Sequence, residues 1–86
     1  MKKYWYDKAW EDYLYWQVQD KKLMKKVNEL LKSIERDGEN KGIGKPEALK
    51  ENLSGFYSRR IDDVNRLVYR IKNNVIEIVS CKGHYE

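Results

Sequence analysis

The chain has 86 residues, 37% of them charged, and a formal net charge of +4 at pH 7. A chain of this length builds one modest core, so we take residues 1–86 as a single domain. No apolar run approaches the ~18 residues of a membrane span, nor the core of a signal peptide. Cys81 is the one cysteine, so no internal disulfide can form, and we expect a cytoplasmic protein with no membrane association. The positive charge favours an acidic partner.

The first half of the chain predicts a short strand and then two helices. Residues 4–6 are aromatic and favour a strand. The expected core stripe of the first helix follows helical spacing and comprises Trp10, Tyr13, Leu14 and Val18. This helix is apolar nearly all round, so it is either sandwiched between the sheet and the second helix or presents a surface to a partner protein. Asp20 is the expected N-cap of the second helix, which ends at Gly38.

A long connection, residues 38–52, separates the helices from the remaining strands. Connections of this length in compact domains are usually functional or disordered. Pro46 begins a short stretch, residues 46–50, that predicts a single helical turn anchored to the core. The connection therefore holds Glu47 and Lys50 close together on one anchored piece of chain.

Residues 56–61 and 65–71 predict a β-hairpin around an acidic turn. A three-residue loop would place Arg60 opposite Arg66 on one face of the sheet. Like charges directly opposite one another are destabilising, which suggests that an anion lies between them. Phosphate suits the planar, forked guanidinium best. The alternation of side chains puts Arg59 and Asn65 on the core face, where we expect Arg59 to lie at the sheet edge or to pair with a helix acid.

The last strand, residues 75–82, follows a two-residue turn at Asn73-Asn74. Counting from this turn places Cys81 opposite Arg66, so the chain end that carries His84 should run along the Arg66 side of the sheet.

The groups available for chemistry are one carboxylate in an anchored loop, the single histidine and several cations. We find no set of residues with metal-ligand spacing and no glycine-rich phosphate loop, so we expect neither a metal nor a cofactor. RNA strand cleavage by transesterification suits such a set, because the RNA 2′-hydroxyl is the nucleophile. The reaction needs a base, an acid and cations around the phosphate.

The chain resembles the YoeB toxins, a family within the RelE/ParE superfamily of toxin–antitoxin ribonucleases. The matching motifs read WEDYLYW at 10–16, GKPE at 44–47, LK at 49–50, NLSG at 52–55, SRRI at 58–61, RLVY at 66–69 and HY at 84–85. They occur in order and cover nearly the whole chain.

The resemblance implies an α+β fold, a small twisted antiparallel sheet with two N-terminal helices on one face, in the order β-α-α-β-β-β. It implies a ribosome-dependent endoribonuclease that cuts mRNA in the ribosomal A site and is inhibited by a YefM-like antitoxin. Members of the family can also be homodimers. By the resemblance Glu47 matches the general base, His84 the general acid and Arg66 the transition-state arginine. The residues that match RNA contacts are Lys50, Arg60 and Tyr85.

Two positions depart from the family pattern. Asn65 stands where these toxins often have histidine, and Glu86 extends the chain one residue beyond the usual His-Tyr end.

Two other functions compete with the ribonuclease. A ParE-like toxin would act by binding a protein such as gyrase, and it would lack the pair formed by Glu47 and His84. A noncatalytic RNA-binding module would need exposed aromatic pairs for base stacking, whereas Phe56 is the one aromatic expected on the polar face.

Overall fold

The computed structural model of the chain describes residues 1–84. Its elements in chain order are β1 (Lys2–Trp5), α1 (Asp7–Gln19), α2 (Lys21–Asp37), β2 (Glu47–Ala48), a 3₁₀ turn (Glu51–Leu53), β3 (Tyr57–Arg60), β4 (Arg66–Lys72) and β5 (Val75–Ser80). Neither helix of this described part is long and apolar enough to cross a lipid bilayer.

The strands form one sheet in the order β1-β5-β4-β3-β2. The predicted α+β class, with two helices near the N-terminus and a hairpin sheet after them, is confirmed. The pairs among β2, β3, β4 and β5 are antiparallel, whereas β1 is parallel to β5, so the sheet is mixed. A parallel pair needs a long crossover connection, and here the chain between β1 and β5 includes both helices.

The helices and one face of the sheet enclose the core. The buried apolar cluster comprises Ala9, Trp16, Val27, Leu30, Leu31, Ile34, Ile61, Leu67, Tyr69, Ile76, Ile78 and Cys81. Side chains alternate along a strand, so Arg60 and Arg66 of the hairpin point to the opposite, helix-free face, whereas Arg59 points to the core. As predicted, Asp20 caps α2, its carboxylate accepting from the backbone N–H groups of Lys22 and Leu23. Gly38 ends α2 with a φ of 98°.

The predicted core face of α1 is wrong at Trp10, Leu14 and Val18, whereas Tyr13 does pack against the core. The buried positions of this helix are Ala9, Asp12 and Trp16. The exposed apolar face of α1, as we call it, comprises Trp10, Leu14, Tyr15 and Val18. Because the helix carries large apolar residues on every side, its spacing could not show which side the sheet would cover.

The prediction of a helical turn from Pro46 to Lys50 is wrong. This stretch contains the strand β2 instead. Glu47 lies opposite Ser58 of β3 in this two-residue strand. The helical turn comes later, as the 3₁₀ turn over Glu51–Leu53. A free edge of β3 offers backbone partners to the connection, and such tertiary pairing outweighs a weak local preference for helix.

The pairing of β4 with β5 contains a β-bulge. Tyr69 is opposite Ile78, but Val68 is opposite Ser80. Val79 is therefore an extra residue, and every pairing beyond it moves by one position.

The bulge overturns the prediction that Cys81 lies opposite Arg66. Cys81 is completely buried, and its Sγ donates to the carbonyl oxygen of Ala9 at 3.6 Å. The backbone N–H of Arg66 donates instead to the carbonyl oxygen of Gly83 at 2.9 Å. A shift of one residue reverses the face that each side chain takes, yet it leaves the chain end beside Arg66.

Candidate active site

Two arginines face each other across the β3–β4 hairpin, as predicted. Arg60 is directly opposite Arg66 in the register of the two strands. Arg66 is only 9% exposed, and its Nη1 donates to the carbonyl oxygens of Asp62 and Asn65 at 2.8 and 3.2 Å. Arg60 is exposed. Within residues 1–84 no carboxylate forms an ion pair with either of these arginines. The hairpin therefore presents concentrated positive charge on the helix-free face.

The turn that joins β3 to β4 is organised by the Asp62 carboxylate. Its Oδ1 accepts hydrogen bonds from the backbone N–H groups of Val64 and Asn65 at 2.9 and 2.6 Å. The Nδ2 of Asn65 donates to both carboxylate oxygens at 3.2 Å. Burial raises the pKa of Asp62, but these hydrogen bonds outweigh it, and the net pKa lies below the usual value. The turn is thus held by an ionised carboxylate.

The chain end that carries His84 is hydrogen-bonded to this turn. The backbone N–H of Gly83 donates to Oδ1 of Asn65 at 2.9 Å, and the carbonyl oxygen of Gly83 accepts from the N–H of Arg66 at 2.9 Å. Gly83 has a φ of 100°, a conformation that side chains disfavour. His84 is exposed and follows this glycine directly. The structure therefore places the chain end that carries His84 beside Arg66, as predicted, although through Gly83 instead of Cys81.

Helix α1 holds the same chain end from the other side. The N–H of Cys81 donates to Oδ2 of Asp12 at 3.0 Å, and its carbonyl oxygen accepts from Nε1 of Trp16 at 2.8 Å. Lys8 donates to the carbonyl oxygen of Lys82 at 3.2 Å. The sequence interpretation missed these contacts. Their signal was an acidic residue, Asp12, in line with apolar positions of a helix, where a carboxylate needs a hydrogen-bond donor.

Glu47 lies across β3 from the arginine pair. It is exposed on β2 and opposite Ser58, and Ser58 is in turn opposite Val68 of β4. Residues that are paired across a sheet share a face, as do residues two apart on one strand. Glu47 is therefore on the same face as Arg60 and Arg66. Strands are about 4.8 Å apart, so two strand spacings, ~10 Å, separate β2 from β4.

The connection that carries Glu47 is anchored by the buried Arg59. The expectation that Arg59 faces the core is confirmed, but its partners are hydroxyls and carbonyls and not a helix acid. Its guanidinium donates to the hydroxyls of Tyr69 and Ser33 at 2.8 Å each. It also donates to the carbonyl oxygens of Gly38 and Ile43 at 2.7 and 3.0 Å. One buried cation thus fixes the path of the loop that leads to β2.

Two predicted site residues remain, Lys50 and Tyr85. Lys50 is exposed and follows β2, immediately before the 3₁₀ turn. Tyr85 lies outside the described residues, as does Glu86. The structure therefore brings Glu47, Arg60 and Arg66 to one side of the sheet, with the chain end that carries His84 beside Arg66 and Lys50 three residues beyond Glu47.

Comparison with known proteins gives a consistent result. The chain matches the YoeB-like toxins of bacterial type II toxin–antitoxin systems over residues 5–85. It is 51% identical over 85 residues to Toxin YoeB of Escherichia coli strain K12, covering 99% of this chain and all of that protein. It is 54% identical over 78 residues to Toxin YoeB of a Synechocystis species, covering 91% and 90% of the two chains.

Solved structures agree with the sequence relatives. A YoeB–YefM complex from Staphylococcus aureus contains a chain that superposes with a TM-score of 0.93 at 55% identity, covering 99% of this chain and 98% of that one. A YoeB/ParE toxin from Agrobacterium tumefaciens superposes with a TM-score of 0.94 at 38% identity, covering 99% and 100%. Fold and near end-to-end identity therefore agree, and the chain belongs to the YoeB-like toxin family of bacterial type II toxin–antitoxin systems.

Proposed function

We propose that this toxin is a ribosome-dependent endoribonuclease, which cleaves mRNA in the ribosomal A site and so inhibits translation in the cytoplasm. The observation that carries the proposal is the arginine pair of the hairpin, with the His84 chain end hydrogen-bonded along Arg66. Glu47 shares this face of the sheet from the edge strand β2. We assign Glu47 as the base, His84 as the acid and Arg66 as the phosphate-binding cation of this reaction.

The cleavage follows from the roles of these three groups. Glu47 accepts the proton of the RNA 2′-hydroxyl, whose oxygen forms a new bond to phosphorus. The bond from phosphorus to the 5′-oxygen of the next nucleotide breaks, and His84 gives this leaving oxygen a proton. The products are a 2′,3′-cyclic phosphate and a free 5′-hydroxyl. Arg66 stabilises the negative charge of the crowded phosphate in the transition state.

Arg66 is suited to this role because one part of its guanidinium is already fixed. Within residues 1–84 its side-chain hydrogen bonds come from Nη1 alone, to carbonyl oxygens of the turn. Nε and Nη2 are therefore available to phosphate oxygens in the planar, two-pronged manner that arginine favours. Arg60, Lys50 and Tyr85 are the proposed contacts to neighbouring parts of the RNA.

The partners we propose are the ribosome and its mRNA, a YefM-like antitoxin, and a second copy of this chain. The Staphylococcus aureus relatives support the last two, because they are described as a YoeB–YefM complex and as a YoeB dimer. An inhibitor of a basic site is expected to bring an acidic segment across it or to displace the His84 chain end. The exposed apolar face of α1 offers a surface for a protein partner.

A test uses purified ribosomes programmed with a defined mRNA and follows cleavage by primer extension. Glu47→Gln and His84→Gln should each slow cleavage by about 10²–10⁴-fold, because each removes one proton-transfer group. Thermal unfolding should be unchanged, since both residues are exposed. Glu51→Gln, an exposed acid on the nearby 3₁₀ turn, is the matched control and should cleave normally.

The same experiment separates the proposal from a noncatalytic ParE-like toxin. A toxin that acts by binding a protein such as gyrase would leave the mRNA intact. It would also inhibit growth equally well with glutamine at either position. Full cleavage by either variant would refute the assigned acid–base pair.

A further inference from the structure

The residue before His84 is fixed by two consecutive residues of the hairpin. Gly83 gives its N–H to the side chain of Asn65 and takes the N–H of Arg66 on its carbonyl oxygen, both at 2.9 Å. The second bond is backbone pairing, which any residue except proline can supply at position 66. The first depends on the side chain at position 65, so Asn65 is where substitution can change the position of the chain end.

The orientation of the Asn65 amide is determined by its two neighbours. Its Nδ2 donates to the Asp62 carboxylate, which accepts only, and its Oδ1 accepts from the Gly83 N–H, which donates only. A reversed amide would lose both interactions. Leucine, of nearly the same shape, would make neither, and aspartate would set a second carboxylate against Asp62.

The turn that contains Asp62 and Asn65 also orients the side chain of Arg66. The carbonyl oxygen of Asp62 accepts from Nη1 of Arg66 at 2.8 Å. Asp62 thus holds the arginine through its backbone and, by way of the Asn65 amide, holds Gly83 through its side chain. A single turn therefore sets the relative position of the phosphate-binding group and of the chain end that carries the acid.

The support from α1 stops short of His84. Asp12 and Trp16 bind the backbone of Cys81, and Lys8 binds the carbonyl oxygen of Lys82, directly before Gly83. Between Lys82 and His84 the chain bends at Gly83, whose φ is 100°. A contact at Gly83 itself holds this bend in one place, and Asn65 supplies the side-chain contact to Gly83.

We propose that Asn65 is a positioning residue, which holds Gly83 so that the imidazole of His84 lies beside Arg66 and can protonate the leaving oxygen. This inference rests on the proposed function, because it assigns Asn65 a role in the reaction of His84. We assign Asn65 no contact with RNA or with the reacting atoms. Its effect passes through one backbone hydrogen bond, so it acts on the rate of the chemical step and not on RNA binding.

The experiment compares Asn65→Leu with Asn40→Leu, an exposed asparagine in the 38–46 connection, as we call the residues between α2 and β2. In single-turnover cleavage on ribosomes, Asn65→Leu should reduce the maximal rate about tenfold, the effect of losing one hydrogen bond that orients a reacting group. The ribosome concentration for half-maximal rate should stay the same. Asn40→Leu should match the wild type in both quantities.

The decisive variant exchanges the two side chains of the turn. Asn65→Asp alone should be as slow as Asn65→Leu, because it sets two carboxylates together. In the double variant Asp62→Asn with Asn65→Asp, the new amide donates to the new carboxylate, which still accepts from Gly83. The maximal rate should return to within about threefold of the wild type.

Amide hydrogen exchange at Gly83, measured by NMR on the free protein, gives a readout that does not depend on RNA. Exchange should accelerate in Asn65→Leu and slow again in the double variant. Wild-type cleavage by Asn65→Leu, or a rate that stays low in the double variant although Gly83 is protected again, would overturn the positioning role. Absence of cleavage by the wild type would instead refute the proposed function, and with it any catalytic role of Asn65.

Discussion

At the scale of single residues, the two arginines of the hairpin differ in how firmly they are held. Arg66 is nearly buried and bonded to two carbonyl oxygens of the turn. Arg60 is exposed on the neighbouring strand. A fixed guanidinium can stabilise a transition state without reorganising, whereas a mobile one contributes mainly charge. The two arginines should therefore have separable effects on catalysis and binding.

We predict that Arg66→Lys lowers the maximal rate of cleavage on ribosomes by about 10²-fold. A lysine cannot bond the turn and also present two parallel donors to phosphate. Arg60→Lys keeps the charge and should change the maximal rate less than threefold. Arg60→Ala removes the charge and should raise the ribosome concentration that gives the half-maximal rate. Steady-state kinetics with ribosome-bound mRNA measures both quantities. Equal losses of maximal rate in Arg66→Lys and Arg60→Lys would contradict the distinction.

Cys81 is a buried residue whose thiol should be inert. Burial, with a smaller contribution from the Asp12 carboxylate, raises the pKa of the Cys81 thiol to about 12. The reactive thiolate is therefore scarce at neutral pH. We predict that iodoacetamide leaves the folded protein unmodified for hours at pH 8 and alkylates it within minutes in guanidinium. Mass spectrometry measures the adduct, and rapid labelling of the folded protein would show that Cys81 is accessible.

At the scale of elements, the 38–46 connection depends on a close approach of its backbone to α2 and β3. A Cβ on Gly42 would overlap the Ser33 hydroxyl and come within 2.9 Å of the Arg59 guanidinium. The φ of Gly42 is +110°, which side chains also disfavour. Space and backbone conformation together therefore require glycine at this point.

Gly42→Ala should therefore lower the free energy of unfolding by about 1–3 kcal/mol more than Gly55→Ala does. Gly55 has a comparable φ of +92°, but a Cβ there would meet nothing within 4 Å, so it is a matched control for backbone strain alone. Urea unfolding of both variants measures the difference. Equal destabilisation by Gly42→Ala and Gly55→Ala would mean that the loop can move to accommodate the Cβ without disturbing Arg59.

At the scale of the whole molecule, several carboxyl groups make stability depend on pH. The pKa of Glu77 is lowered chiefly by its hydrogen bond from Arg70, at 2.8 Å. The pKa of Glu35 is lowered chiefly by the N-terminal ammonium group. Asp62 also has a lowered pKa, for the reasons given above. Groups with a lowered folded-state pKa contribute stability that is complete above their unfolded pKa and is lost as pH falls through the folded pKa.

Unfolded Asp and Glu titrate near pH 4, so we expect a nearly constant melting temperature from about pH 7 to 5 and a steady decrease below about pH 4. Thermal unfolding followed by circular dichroism measures this curve. Glu77→Gln should make the decrease shallower, because it removes one of the contributing groups. A melting temperature that rises on acidification would contradict the assignment of ionised, hydrogen-bonded carboxylates.

Local chemistry made the hairpins predictable from the sequence. Asn73 and Asn74 have φ values of 53° and 60°, as a two-residue turn requires, and this turn sets the register of β4 with the start of β5. The acidic turn likewise sets Arg60 opposite Arg66. The helix boundary at Asp20 and the motifs of the family were also accessible, because each depends on residues near one another in the chain. The candidate site residues were named from these motifs, and their roles stay predictions.

Only the tertiary structure decided how distant elements meet. The bulge at Val79 turns Cys81 into the core, where it packs against α1. Packing against the sheet determines which side of the apolar helix α1 is buried. Pairing with the edge of β3 places Glu47 in a strand. Each outcome depends on packing and hydrogen bonds between segments far apart in sequence, for which local spacing carries no signal. The contact of Asn65 with Gly83 belongs to the same class, because it forms only once the bulge has set where the chain end lies.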